Sequence, residues 1–166
     1  MKDRFATQAR RPVRCIFLFA VVLVAACEGT PPPAPDLNTV VWERYRDDQI
    51  GFSVEHPDVY ETDRHHGGVL LRHDGYPVVA ISYADEDEAD RRGLWADHKA
   101  VGNVELAGIT GKRYVYDHWD GPAYMHTVSF VIPWQGRYLA LEFRTKNETL
   151  DPVQQRIQES FRVGRN

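Results

Sequence analysis

Apolar and polar residues alternate along much of the chain after residue 50, and this period of two predicts β-strands. The predicted strands cover residues 50–55, 69–72, 77–83, about 104–118, about 123–133 and about 136–145. Turn signals rich in glycine, aspartate and proline separate most of them. Residues 40–166 are therefore expected to form one domain built on an antiparallel sheet.

The last two predicted strands are expected to form a hairpin with one apolar face. Val128 and Phe130 lie on one face of the first strand, and Leu139 and Leu141 lie on one face of the second. A tight turn near residues 134–135 would place Phe130 near Leu139 and Val128 near Leu141. The resulting apolar face needs a covering layer.

The segment after Asp151 has the signals of an α-helix that supplies this cover. Asp151 suits the N-cap, Pro152 suits the first helical position, and Gln154 completes a capping-box spacing. Gly164 is expected to end the helix, and a second, shorter helix is expected within residues 86–99. The apolar stripe of the terminal helix consists of Val153, Ile157 and Phe161. The predicted fold class is therefore α+β, an antiparallel sheet flanked by helices.

The N-terminus has the pattern of an export signal. Residues 1–14 are polar and basic, and residues 16–26 are entirely apolar. An apolar helix of this length covers about 17 Å, against about 30 Å for a bilayer core. The run Val24-Ala25-Ala26-Cys27 resembles the lipobox of bacterial lipoproteins. That resemblance implies cleavage before Cys27 and attachment of lipid to its thiol, which makes membrane lipid a partner.

The predicted organisation has three parts. Residues 1–26 form the lipoprotein signal peptide, residues 27–39 form the lipidated N-terminus with a proline-rich linker, and residues 40–166 form the folded domain. The prolines at 31–33 and 35 favour an extended, stiff conformation. Cys27 is followed by Glu28 rather than by aspartate, which resembles the outer-membrane sorting signal of lipoproteins in enteric-type bacteria and implies the periplasmic face of the outer membrane.

Charge and cysteine content exclude several classes of function. The chain has 20 basic and 24 acidic residues, and residues 1–26 hold five of the basic and one of the acidic residues. The remaining chain therefore has a net charge of -8, which does not suit nucleic-acid binding. Its two cysteines are Cys15 and Cys27. The folded domain is thus expected to have no disulfide and no cysteine nucleophile.

The domain resembles the PsbP-like superfamily in a few short motifs. They are Tyr45, the run Ile50-Gly51-Phe52-Ser53-Val54, Pro57, and the terminal run Glu159-Ser160-Phe161-Arg162. The aromatic residue expected a few positions after the proline is Tyr60. The resemblance implies an α/β/α sandwich. The superfamily includes extrinsic photosystem proteins, a Ran-binding transport factor and small bacterial lipoproteins, which are mainly binding or assembly proteins, so the resemblance implies no reaction.

Aromatic residues and histidines cluster around the predicted turn at 120–122 and are the candidate ligand-binding residues. These are Tyr116, His118, Trp119, Tyr124 and His126. A hairpin there would place His118 and His126 on one sheet face, where a ligand stacks on the aromatic rings. The alternative is that they are half-buried sheet residues with solvated polar tips.

No catalytic, cofactor or metal motif is recognisable. The sequence lacks Gly-x-Ser-x-Gly, Ser-x-x-Lys and the histidine spacings of zinc sites, so no cofactor, no metal and no catalytic residue is predicted. A hydrolase would need two or three of His118, His126, Asp117 and Glu142 to converge in one cleft. The sequence favours a membrane-anchored envelope lipoprotein that binds or assembles with another protein. The alternative is a lipoprotein that binds a small ligand.

Overall fold

The computed structural model describes residues 31–65, 67–84, 99–120 and 123–164. Within these residues the chain forms ten β-strands and one α-helix. In chain order they are β1 (Trp42–Asp47), β2 (Phe52–Pro57), β3 (Glu61–His65), β4 (Gly68–His73), β5 (Tyr76–Ala84), β6 (Lys99–Leu106), β7 (Ile109–Asp120), β8 (Ala123–Trp134), β9 (Arg137–Thr145), α1 (Pro152–Ser160) and β10 (Arg162–Val163).

The strands form two antiparallel sheets. The larger has seven strands in the order β3-β4-β5-β9-β8-β7-β6, and the smaller has three in the order β1-β2-β10. The prediction of an α+β fold with flanking helices is wrong, because strands dominate the described residues and α1 is their single helix. The predicted sheet is correct, but a small sheet supplies much of the cover that was assigned to helices.

Three hairpins of the large sheet turn through two residues that both have positive φ. The pairs are Asp74-Gly75, Ala107-Gly108 and Gln135-Gly136. Two-residue turns of this kind match the right-handed twist of the strands that they join. The turn after β8 therefore lies at 135–136, one residue later than predicted. As a result, Phe130 pairs with Leu141, not with Leu139.

The strand predicted at about 104–118 is two strands. β6 ends at Leu106, Ala107 and Gly108 make the turn, and β7 begins at Ile109. Alanine rarely occupies a position with positive φ, so the pair Ala107-Gly108 is a weak turn signal in sequence. β1, β3 and β10 were not predicted either.

The hydrophobic core lies between one face of the large sheet and a layer made by the small sheet and α1. The predicted apolar rows of β8 and β9 are confirmed as buried, as are Val153, Ile157 and Phe161. The rings of Phe52 and Phe161 stack with their centroids 5.8 Å apart. The capping box of α1 is confirmed, because Asp151 accepts from the Gln154 backbone and Gln154 accepts from the Asp151 backbone.

The expected end of α1 at Gly164 is wrong, and the expected second helix is not tested. α1 ends at Ser160, four residues before Gly164, because Phe161 is extended and the chain continues into β10. The predicted helix within 86–99 lies outside the described residues, apart from Lys99, which begins β6. The signal peptide and Cys27 also lie outside the described residues.

Gly111 gives a direct test of the pairing between β7 and β8. A Cβ atom at Gly111 would overlap with the backbone oxygen of Val131, whereas a Cβ atom at Gly102 would meet nothing within 4 Å. We expect Gly111→Ala to lower the free energy of unfolding by about 1–3 kcal/mol, because the strands must separate to admit the methyl group. The matched control Gly102→Ala should stay within about 0.5 kcal/mol of the parent. Urea denaturation measures both, and equal stability of the two variants would contradict the close approach at Gly111.

Candidate functional site

One end of the domain receives the N-terminal linker, and we call it the linker end. Here β2 and β9 end, at Pro57 and Thr145, while the hairpin of β7 and β8 reaches its tip. Linker residues Pro31, Pro32 and Ala34 line a pocket at this end. This part of the linker therefore lies against the domain.

This pocket, which we call the Tyr60 pocket, has a volume of about 260 Å³. Its wall includes Tyr60, His73 and Met125, with Asp151 and Gln154 from the start of α1. The Tyr60 side chain is only 5% exposed. Burial raises the pKa of its hydroxyl above the ordinary value, and the charge of Asp151 adds to the increase. A neutral phenol in this position is a hydrogen-bond donor for a ligand.

The polar groups around Tyr60 are largely occupied by one another. Asp151 and Gln154 close the capping box, and the Gln154 amide also donates to the backbone oxygen of Arg144 at 2.8 Å. The ring of His73 lies 5.2 Å from the Tyr60 ring, between centroids. The Tyr60 hydroxyl has no hydrogen bond to any described residue. It is therefore a group in this wall that is available to an added molecule.

The pairing of β7 with β8 places two of the predicted ligand-binding residues, Tyr116 and His126, in opposite rows of the sheet. β7 pairs Tyr116 with Thr127, Asp117 with His126 and His118 with Met125. Strand alternation then places positions 118 and 126 in opposite rows of the sheet, so a shared face for His118 and His126 was a wrong expectation. The side chains of His118, Trp119 and Tyr124 lie outside the described residues.

His126 instead pairs with Asp117. The Nδ1 atom of His126 lies 2.6 Å from the Asp117 carboxylate, and both residues face the same side as the core. Glu142 lies in the opposite row, beside Ser129. Asp117 and His126 thus lie together, whereas Glu142 lies on the other face of the sheet.

Tyr116 lies on the outer face of the large sheet, which is the face opposite the core. It lines a small cavity of about 120 Å³ together with Thr127, Glu142 and Arg144. Burial raises the pKa of Glu142, while a hydrogen bond from Ser129 at 2.6 Å and the charge of Arg144 oppose the increase. A cavity of this size holds a few ordered waters rather than a ring-sized ligand.

Sequence reasoning missed an exposed surface on the small sheet, which we call the arginine face. It is formed by Trp42, Arg44, Arg46, Glu55, Arg156 and Arg162. The Arg44 guanidinium bonds to Glu55 at 2.6 Å, and Arg156 lies 3.9 Å from the Trp42 ring centroid. The alternating order Trp42-x-Arg44-x-Arg46 was the available signal, since it places three large side chains on one face of a strand.

Trp42 is the least satisfied residue of this surface. Its indole nitrogen is buried and has no hydrogen-bond partner among the described residues. A buried donor without a partner is uncommon, because it loses water without gaining a new bond.

The described residues contain no group of three or more histidine, cysteine, aspartate or glutamate side chains arranged to hold a metal ion. None of their helical segments combines the length and the apolar character that crossing a bilayer requires.

The fold is similar to a solved structure. The solution structure of cyanobacterial PsbP (CyanoP) from Synechocystis sp. PCC 6803 matches with a TM-score of 0.51 and 13% sequence identity. The match covers 80% of this chain and 98% of that chain. No protein-family model matches the sequence, and no curated protein matches it significantly. At this identity the likeness concerns the fold alone, which is PsbP-like.

Glu142 should make the stability of the domain depend on pH. Because its pKa is raised in the folded state, the folded protein binds more protons than the unfolded chain above the ordinary glutamate pKa. Stability therefore falls as the pH rises through the raised value. We expect Glu142→Gln to reduce the loss of unfolding free energy between about pH 4 and about pH 7.

Ser129→Ala should strengthen the dependence of stability on pH that Glu142→Gln weakens. It removes the hydroxyl that donates to the Glu142 carboxylate, so the pKa of Glu142 should rise further. The loss of stability with rising pH should then exceed that of the parent. Urea denaturation at both pH values measures the three proteins, and parallel pH profiles would refute the role assigned to Glu142.

Proposed function

We propose that this chain is a bacterial envelope lipoprotein, anchored through Cys27, whose domain docks another envelope protein. The anchor is supported by the basic and apolar residues before Cys27 and by the run Val24-Ala25-Ala26. Its proposed location is the periplasmic face of the outer membrane. The domain is assigned a binding role and no catalytic residue.

The arginine face is the observation that carries the docking role. Arg44, Arg46, Arg156 and Arg162 are exposed around the central carboxylate of Glu55, and Asp48 pairs with Arg46 at the edge of the surface. Arginine and tryptophan are enriched at protein interfaces, where they supply much of the binding energy. The surface is also positive, although the chain after residue 26 has a net charge of -8. The partner that fits it is a protein with an acidic surface.

The arginines of this face are partly ordered before a partner arrives. Glu55 holds Arg44 at 2.6 Å, and the ring of Trp42 supports Arg156 at 3.9 Å from its centroid. Side chains that are already held in place lose less entropy on binding. Arg44 remains 66% exposed and Arg156 47% exposed, so both retain donors for a partner.

A second candidate function is the binding of a small ligand in the Tyr60 pocket. The observation that favours it is the Tyr60 hydroxyl, which belongs to a residue of the pocket wall and has no hydrogen bond to a described residue. The pocket volume of about 260 Å³ suits a small organic molecule with an acceptor oxygen. The two functions use different surfaces, so mutations separate them.

The lipid anchor is tested at Cys27. We expect mass spectrometry of the mature N-terminus to show cleavage before Cys27 and an added diacylglycerol. Cys27→Ser should move the protein from the membrane fraction to the soluble fraction, because the acyl chains provide the membrane affinity. Cys15→Ser is the control and should remain membrane-bound. An unmodified Cys27 or cleavage at another bond would refute the anchor.

The docking role is tested by reversing charge on the arginine face. Arg44→Glu combined with Arg156→Glu should abolish capture of the partner by crosslinking in intact cells, because like charges then face each other. The control is Lys112→Glu, which reverses an exposed charge on β7. Capture should be retained in the control and should weaken with increasing salt in the parent.

Two results would contradict the docking role. In the first, the double variant captures the same proteins in the same amounts as the Lys112→Glu control. In the second, native mass spectrometry shows a co-purified small molecule that Tyr60→Phe loses and the arginine variants retain. That second result would favour the small-ligand function instead.

A further inference from the structure

The position of the linker fixes which end of the domain lies close to the lipid anchor. Pro31 lines the Tyr60 pocket at the linker end. Only three residues separate Pro31 from Cys27, and the four fully extended steps from one Cα atom to the other span at most about 14 Å. If lipid is attached at Cys27, the linker end lies within that distance of the membrane interface. The linker is too short to hold this end far from the bilayer.

Two exposed aliphatic residues lie together at the same end. Val41 is 63% exposed and Val59 is 47% exposed, and they are the large hydrophobic side chains most exposed among the described residues. The backbone nitrogen of Asp58 donates to the Val41 oxygen at 2.8 Å, which brings the two valines close in space. Val59 lies in the turn between Pro57 and Tyr60, just before the residue that lines the pocket.

We infer that the linker end rests on the bilayer surface, with Val41 and Val59 inserted among the lipid headgroups. The inference rests on the proposed anchor at Cys27 and adds an orientation to it. Aliphatic side chains next to a lipid anchor contribute membrane affinity in proportion to the apolar area that they bury. The anchor keeps their local concentration at the surface high, so even a small patch is sufficient.

A bilayer fits this patch better than a protein partner does. A stable protein interface buries about 800 Å² on each side, far more than two valine side chains provide. A lipid surface needs no complementary shape, because headgroups and acyl chains adapt to the residues that enter them. The bilayer is therefore the occupant that matches both the size of the patch and its distance from Cys27.

The orientation has a consequence for the rest of the domain. β7 and β8 each have 12 residues and run from the linker end to the opposite end, which carries the turns at 107–108 and 135–136. A strand of that length spans about 40 Å. The arginine face extends along β1 away from Trp42, and therefore away from the membrane surface. It remains open to a partner.

The test uses an environment-sensitive fluorophore on a noncanonical amino acid, so that Cys27 stays free for lipid. One label replaces Asp58 at the linker end, and the other replaces Thr110, an exposed residue near the opposite end of β7. Vesicles contain phosphatidylcholine, phosphatidylethanolamine and a nitroxide lipid that quenches nearby fluorophores. The protein is either lipidated in cells or attached as the mature chain through Cys27 to a maleimide lipid.

We expect the label at position 58 to be quenched at least about twofold more than the label at position 110. Val41→Asp combined with Val59→Asp should remove most of this difference, because carboxylates leave the headgroup region. Thr110→Asp, the matched control, should leave the quenching at position 58 unchanged.

Two results would overturn the inference. One is equal quenching at both positions, which would mean that the tethered domain rotates freely. The other is protection of position 58 that depends on protein density and gives energy transfer between labelled copies, which would mean that a second copy covers the valines. If protein from cells carries no lipid on Cys27, the proposed anchor fails, and the maleimide-linked sample still decides the orientation.

Discussion

The seven-stranded sheet has one strongly apolar face, and covering it is the constraint on which the rest of the structure depends. Phe130, Leu141 and Phe143 on this face are at most 4% exposed. The cover comes from both ends of the domain sequence, since β1 and β2 begin the domain while α1 and β10 end it. β10 pairs with β2, and Phe161 stacks on Phe52, so the two contributions form one layer. Each half needs the other in order to bury its own apolar side.

A single buried carboxylate holds the first part of this layer in place. Asp47 is 3% exposed and accepts from the backbone nitrogens of Gln49 and Ile50, both at 2.9 Å. It also pairs with Arg64 on β3 at 3.2 Å, which links the small sheet to the edge of the large one. Trp134 then donates to the Ile50 oxygen at 2.9 Å from the end of β8. The turn after β1 is thereby fixed, and with it the direction of the arginine face.

The sequence was most informative where a local pattern determines structure. The apolar rows of β8 and β9 and the capping box at Asp151 follow from spacing within one element, and both were predicted. The predicted cross-strand partner of Phe130 was wrong because the turn lies one residue later than expected. A shift of the turn by one residue moves the partner of each strand residue by two positions. β1 was missed because Tyr45 is the only residue of its inner row that reads as apolar, so the strand depends on pairing with β2.

The candidate sites were harder to predict than the strands, for a related reason. Tyr116 and His126 were chosen from one hairpin, and strand alternation separates them onto two faces. The Tyr60 pocket and the arginine face join residues that lie far apart in sequence. Trp42 on β1 contacts Arg156 on α1, and Tyr60 lies close enough to Asp151 to sense its charge. Such meetings depend on how the layers close, and no pattern within a single strand specifies them.

The distribution of unpaired polar groups supports a functional role for the linker end. Among the buried side-chain nitrogen and oxygen atoms of the described residues, the Trp42 indole nitrogen is the one without a hydrogen-bond partner, and Tyr60 lines the pocket at the same end. Elsewhere in the core, buried polar groups are satisfied, as Asp47 and Ser129 illustrate. Leaving a buried donor unpaired costs about 1–3 kcal/mol, so such groups are expected where binding supplies the missing acceptor. Trp42 and Tyr60 both flank the turn that carries Val59, at the end where the linker reaches the domain.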